Sequence, residues 1–239
     1  MKVKMLGTGA VYTIYNSASV LVDEKIIIDT PNGALKQFLR NGNDINKIET
    51  IIITHMHGDH TADILFFLVY INIYLRLNKK INIIGPVGIS SKIIEIENAF
   101  NFIKQGDYLE KYNIKITELA DEEEVIVHDY KIKAYKVLHG KEEPCNGYVI
   151  NNKLGVTGDA TLCQGVEKIV ENSKVIITDC SHINESKTHM GIDTNKILYE
   201  KYKKQMVATH IRDLTREYAK DNNIDFMVFP EDYYEFTLD

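Results

Sequence analysis

Thr54-His55-Met56-His57-Gly58-Asp59-His60 places three histidines and an aspartate within seven residues, directly behind the apolar run Glu49-Thr50-Ile51-Ile52-Ile53. A β-branched run of this kind predicts a buried strand. The polar cluster then falls on a tight loop at the strand's end, where side chains converge. Imidazoles and a carboxylate at i, i+2, i+4 and i+5 form a ready set of nitrogen and oxygen ligands for a borderline divalent metal such as Zn²⁺. A merely solvated polar loop would not need four ligand-competent residues at that spacing.

Three further residues repeat the pattern. His139 closes the run Tyr130–Leu138, Asp159 follows Leu154-Gly155-Val156-Thr157-Gly158, and His210 follows Met206-Val207-Ala208-Thr209. Each is a potential ligand just past an apolar strand, where strand ends meet at one edge of a sheet.

The intervening elements are predicted from periodicity and turn signals. Lys2–Leu6 reads as a strand, and Ala18–Asp23 with Ile26–Asp29 as a hairpin. Asn32–Asn41 reads as a helix, Ile48–Ile53 as a strand and Ala62–Leu77 as one apolar helix. Ile81–Ile84 is a strand ending in a Gly85-Pro86 turn, and Gly88–Phe102 an amphipathic helix. Strands follow at Ile114–Leu119, Glu124–Val127, Tyr130–Val137, Tyr148–Ile150 and Leu154–Thr157. The last third alternates helix and strand: Gly165–Asn172, Val175–Thr178, Asp193–Tyr202, Gln205–Thr209 and Leu214–Asn222, with Met227–Phe229 as a short final strand. Strand runs in two halves separated by a few helices imply two packed sheets with helices outside.

The bulk properties narrow the function classes. The 239 residues carry a formal net charge of −6, so no global basic field attracts nucleic acid. Cys145, Cys163 and Cys180 show no C-x-x-C spacing and cannot all pair, which fits reduced thiols in a cytoplasmic protein. The N-terminus lacks the apolar segment of a secretion signal. The run Ile64–Leu75 is interrupted by Asn72 and is shorter than the about 20 residues of a membrane span. It predicts a buried helix, and the apolar helix Ile64–Leu77 could bury one face in a homodimer.

The order His-x-His-x-Asp-His, then His, then Gly-Asp, then Thr-His resembles the metallo-β-lactamase fold. Leu6-Gly7-Thr8-Gly9, Ile84-Gly85-Pro86, Lys133-Ala134-Tyr135, Gly147-Tyr148, Thr157-Gly158-Asp159 and Pro230-Glu231-Asp232 are similar to its ribonuclease Z-like branch, and the likeness runs the whole chain. The resemblance implies one α/β domain over residues 1–239, a four-layer αββα sandwich with a metal site at one edge. It implies two divalent ions, Zn²⁺ first and Mn²⁺ or Fe²⁺ as alternatives. His55, His57 and His139 would hold one ion, Asp59, His60 and His210 the other, and Asp159 would bridge them. Cysteine in place of Asp159 would point instead to an antibiotic-hydrolysing enzyme.

The catalytic candidates are Asp59 and His189. His189, in Thr188-His189-Met190-Gly191, resembles the late histidine of ribonuclease Z-like enzymes, which binds phosphate or protonates the leaving oxygen. Asp179, in Thr178-Asp179-Cys180-Ser181-His182, departs from the branch's usual His-Glu-Ala-Thr-like motif and is a candidate partner for His189. Asp29 is either a carboxylate orienting a ligand imidazole or the N-cap of the helix that follows. His182 has no assigned role, and His128 reads as a solvated turn residue. Tyr12, Tyr15 and Asn16 are candidate pocket residues.

Two clamped cations suit phosphodiesters, whose attacking and leaving oxygens both need stabilising. The resembling tRNA-processing enzymes carry a long Gly/Pro-rich arm between the third-motif histidine and the bridging aspartate. Only a loop and a hairpin fit between His139 and Asp159. The expected activity is therefore hydrolysis of a small or short nucleotide-like phosphodiester, with a tRNA 3′-end endoribonuclease and a lactone or thioester hydrolase as alternatives. A non-catalytic metal-binding protein is a third class, whose mark would be a missing ligand.

Overall fold

Ile26-Ile27-Ile28 shows how the layers arise. The side chains of Ile26 and Ile28 enter one core and that of Ile27 enters another, as the two-residue period of a strand requires. Ile51 and Ile53 against Ile52, and Ile83 against Ile84, divide in the same way. A strand apolar on both faces must be covered on both, and full burial of each such side chain contributes roughly 1.5–3 kcal/mol.

The computed structural model describes residues 1–77, 79–100, 113–141 and 144–239. One sheet has the order β13-β1-β2-β3-β4-β5-β6, with β1 Lys2–Gly7, β2 Ser19–Val22, β3 Ile26–Ile28, β4 Thr50–Ile52, β5 Ile81–Pro86, β6 Ile114–Leu119 and β13 Glu235–Thr237. The other has the order β12-β11-β10-β9-β8-β7, with β7 Glu124–Val127, β8 Tyr130–Lys136, β9 Asn146–Ile150, β10 Leu154–Val156, β11 Val175–Asp179 and β12 Gln205–Thr209. Three apolar cores separate four layers. Val20, Ile28 and Ile52 meet Tyr148, Ile177 and Val207 between the sheets. On the outer face of the first sheet, Ile51 and Ile83 pack against Phe38 of α1 (Ala34–Arg40), Phe67 of α3 (Ile64–Val69) and Ile93 of α4 (Ile89–Phe100). On the outer face of the second, Val149, Ile176 and Met206 pack against Ile169 of α5 (Gln164–Glu171), Leu198 of α6 (Ile192–Tyr202) and Ala219 of α7 (Asp213–Asp221). This is the expected αββα sandwich.

Three local expectations are corrected. The Gly85-Pro86 turn is the end of β5, which stays paired as Gly85 with Glu118 and Pro86 with Leu119. The apolar helix expected over Ala62–Leu77 is α-helical only in α3, and Tyr70–Tyr74 continue it as a π-helix; a separate turn, α2 (Gly58–Thr61), precedes it. Met227–Phe229 makes only an isolated bridge, Val207 to Val228, and the true last strand is β13, paired antiparallel with β1. Residues 101 and 102 of the helix expected over Gly88–Phe102 lie outside the described residues. No helix among the described residues is long and apolar enough to cross a membrane.

β3 and β4 run parallel, as do β8, β10, β11 and β12 once the antiparallel β9 is passed. Their C-terminal ends therefore collect at one edge of the sandwich. The sheets are also bonded to each other there: the Tyr148 hydroxyl donates to the Ile53 carbonyl at 2.8 Å and the Asn146 amide to the Thr54 carbonyl at 2.9 Å. Gly158 lies in the left-handed region (φ 62°), and a Cβ there would stand 2.8 Å from Thr54 Cβ. Only glycine lets the two strand ends come this close.

Candidate metal centre

The loop after β4 delivers His55 and His57, and α2 then presents Asp59 and His60, with His57 as the residue preceding its first turn. The expected loop is thus half loop and half helical turn. His139 comes from the segment three residues past β8, Asp159 from the turn after β10 and His210 from the residue after β12.

Among the described residues these side chains form overlapping groups of potential ligands, two of which are the expected triads, His55 with His57 and His139, and Asp59 with His60 and His210; the others join Asp159 to His55 and His60, Asp159 and His189 to His139, and Asp179 and His189 to His210. In the first triad, His55 Nε2 lies 3.0 Å and His139 Nε2 3.3 Å from His57 Nδ1. In the second, Asp59 Oδ2 lies 3.7 Å from His60 Nε2 and 3.5 Å from His210 Nε2. Asp159 sits between the triads. Its Oδ2 is 3.9 Å from the Nε2 atoms of both His55 and His139, 3.4 Å from His60 Nε2 and 3.3 Å from His210 Nε2.

The outward nitrogens are held in place. His139 Nδ1 donates to the Thr188 carbonyl at 2.7 Å. His60 Nδ1 donates to Asp29 Oδ2 at 2.8 Å, while Asp29 also accepts from the Thr54 amide and hydroxyl, each at 2.8 Å. The two readings of Asp29 are thereby separated: its carboxylate is spent on a site imidazole and the loop that follows β4. The N-cap position of α1 is Gly33 rather than Asp29, and the first-turn Leu35 amide donates to Asp63 Oδ2. Asp29 (φ 61°) and His210 (φ 53°) both adopt the left-handed backbone, which costs a non-glycine residue on the order of 1–3 kcal/mol and gathers at functional sites.

The electrostatics suit cations. Burial alone would raise the carboxyl groups, but His210 and His60 beside Asp59 and Asp159 hold both well below the usual carboxylate range. Burial, reinforced by the charge of His60, pushes His55 well down, and burial also lowers His139. Burial opposes the charged form of His60 too, yet Asp159 and Asp29 lift it well above the ordinary imidazole value. The Nε2 atoms of His60 and His210 are buried with no hydrogen-bond partner, a costly arrangement that a cation would relieve. Anionic carboxylates and inward nitrogens without partners are the donor set a divalent ion takes. An Asp29→Ala variant is expected to lower metal affinity by about 10–100-fold, as losses of ligand-orienting groups do; titration of metal-free protein with Zn²⁺ against a competing chelator checks it.

The other candidates are placed as follows. His189 Nδ1 donates to Asp179 Oδ2 at 2.8 Å and lies 3.9 Å from Asp159 Oδ2, and its ring stacks on that of His210 at 4.9 Å. Burial opposes its charge, but the hydrogen bond and charge of Asp179 raise it above the ordinary value. Asp179 is fully buried and also accepts from the Ala160 and Ser181 amides. Asn16 bonds Leu6 and Tyr233, and Tyr15 lies under Arg216. Tyr12 is 94% exposed. Cys180 is buried, and burial pushes its thiol well up, so it is a packed thiol. The Arg212–His182 pair, Nη1 to Nε2 at 2.9 Å, was not expected; its signal in the sequence is only an arginine two residues past His210.

The profile of the family described as anti-Pycsar protein Apyc1 matches residues 1–234. Among curated proteins, the ribonuclease Z of Pyrococcus abyssi is 28% identical over 162 residues, 64% of this chain and 48% of that protein. The match thus spans about half the length of the Pyrococcus relative. The ribonuclease Z of Saccharolobus islandicus is 26% identical over 250 residues, 86% of this chain and 85% of that protein. A diphosphatase of the PhnP family superposes with a TM-score of 0.81 at 19% identity, covering 100% of this chain and 98% of that one. The human short-form tRNase Z gives 0.77 at 19% identity, with full coverage of both chains. Zn²⁺-bound PqqB of Methylobacterium extorquens gives 0.72 at 13% identity, again covering both fully. These structures share the metallo-β-lactamase fold with this chain.

Proposed function

We propose a function from one premise: the chain belongs to the family of the anti-Pycsar protein Apyc1. On this reading it is a metal-dependent hydrolase that cleaves a phosphodiester bond in a small, nucleotide-like substrate. The observation that carries it is the position of Asp159 Oδ2, within 3.3 to 3.9 Å of imidazole nitrogens from both triads. One carboxylate oxygen shared by two ligand sets is the arrangement that a pair of cations requires, because an anion between them offsets their repulsion.

His55, His57 and His139 would hold one divalent ion, Asp59, His60 and His210 the other, and Asp159 both. Bound there, the ions supply water of lowered pKa and neutralise charge on the phosphoryl oxygens. The chain's own groups do the rest. Asp29 and the Thr188 carbonyl fix His60 and His139, so that no reorganisation is needed at the moment of reaction. Asp179 holds Nδ1 of His189 and leaves Nε2 to give a proton to the departing oxygen.

The ribonuclease Z relatives favour a second reading, cleavage of precursor tRNA. Against it stand the net charge of −6 and the short course from His139 to Asp159, which comprises β9, β10 and their connecting loops. The test is metal analysis of the purified chain, followed by assays with bis(p-nitrophenyl) phosphate, a cyclic mononucleotide, a precursor tRNA, a lactone and a thioester. About two ions per chain are expected, with turnover of the small phosphodiesters that a chelator removes and Asp59→Ala abolishes. Lactone or thioester turnover without phosphodiester turnover would overturn the proposal, and preference for the tRNA would install the second reading.

A further inference from the structure

Arg212 is spent on nothing structural. Its Nη1 donates to His182 Nε2 at 2.9 Å, and among the described residues its side chain has no other hydrogen-bond partner and no carboxylate within ion-pair distance. Its side chain is exposed. A guanidinium has five N–H donors and no acceptor, so the rest of the fork is available to a ligand. Its position also runs against local preference: Arg212 precedes the first turn of α7, where the helix dipole disfavours a cation.

The pairing aims this cation at the metal centre. His182 accepts from Arg212, so its own proton is on Nδ1, which is buried without a partner. An unpaired buried donor costs about 1–3 kcal/mol, a local sacrifice of the kind that functional sites show. Burial first, and then the charge of Arg212, hold His182 below the ordinary imidazole value and keep it a neutral acceptor. The His182 ring stacks on His189 at 5.7 Å, and His189 on His210 at 4.9 Å. Arg212 therefore stands on the same rim as the second triad, beyond His189. Among the described residues it is the one lysine or arginine hydrogen-bonded to a histidine of this cluster.

We propose that Arg212, oriented by His182, is a specificity-determining residue that binds a second phosphate group on the substrate, beyond the scissile bond and on the side of His189. This rests on the phosphodiesterase reading, which places the scissile phosphate at the two triads. The free edge of the guanidinium offers two parallel N–H donors, the geometry that phosphate oxygens take. A metal centre alone recognises any phosphodiester; a fixed cation beside it selects those that carry a further anion.

The test compares adenosine 3′,5′-bisphosphate with adenosine 5′-monophosphate as competitive inhibitors of bis(p-nitrophenyl) phosphate turnover by the metal-loaded chain. The wild type is expected to bind the bisphosphate about tenfold more tightly or better. Arg212→Ala should bring the ratio of the two inhibition constants to about one, and Arg212→Lys should leave it between, because lysine keeps the charge and loses the fork. Lys220→Ala, at the far end of α7, should keep the wild-type ratio. No selectivity in the wild type, or the same ratio in Arg212→Ala, would overturn the assignment of Arg212. If the wild type fails to hydrolyse bis(p-nitrophenyl) phosphate, the functional reading fails. Calorimetric titration of both nucleotides into wild type and Arg212→Ala then still decides the role of Arg212.

Discussion

Replacing Asp159 with asparagine is expected to remove at least half of the bound metal and to slow phosphodiester turnover by about 10²–10³-fold or more, the scale of losing one preorganised electrostatic group. The expectation follows from its position. Asp159 is buried, and of the five imidazole nitrogens within 3.9 Å of its Oδ2, the four that belong to the triads come from three separate strand ends. Its charge is the one feature common to both triads, so neither triad can compensate for the loss. Asparagine preserves the shape and one acceptor oxygen, and His60 keeps its bond to Asp29; the metal-free variant should therefore melt within a few degrees of the wild type. Elemental analysis of the purified protein, with thermal melts of both metal-free forms, checks the two halves of the expectation. Full metal content with full activity would show that the triads do not share Asp159.

The parts of this arrangement that were legible in the sequence are local in the chain. Thr54–His60 is a dense ligand run behind three isoleucines, and His139, Asp159 and His210 each close an apolar strand. The two-residue alternation that divides Ile26, Ile27 and Ile28 between cores is likewise written in consecutive residues. Features that depend on partners far along the chain were hidden. β13 is a three-residue edge strand with one apolar side chain, and it exists because β1 lies beside it. Gly85-Pro86 carries the composition of a turn, yet β6 holds it in register. The apolar helix has the same composition whether its turns are α or π, so the change at Tyr70 leaves no periodic mark. Asp29 was ambiguous because a carboxylate before a helix can serve the helix or a distant imidazole, and only the fold brings His60 within 2.8 Å.

Exchange of His189 for alanine is expected to separate proton transfer from metal binding. The variant should retain its metal, since His55, His57, Asp59, His60, His139, Asp159 and His210 remain. Turnover should fall by about 10²–10⁴-fold for a substrate with an alcohol leaving group, the range for loss of a general acid. For bis(p-nitrophenyl) phosphate the loss should be far smaller, because p-nitrophenolate departs without a proton. The contrast between the two substrates identifies the role. A histidine that only gripped the phosphate would cost both alike and would act mainly on KM. Asp179→Asn supplies the complementary case: the hydrogen bond to His189 Nδ1 would persist in altered form while the charge is lost. Its defect should follow the same leaving-group dependence at smaller size, because a group that acts through His189 cannot change which oxygen needs the proton. An Asp179→Asn defect equal for both leaving groups would instead assign Asp179 to holding the Ala160 and Ser181 amides, and with them the turn that carries Asp159.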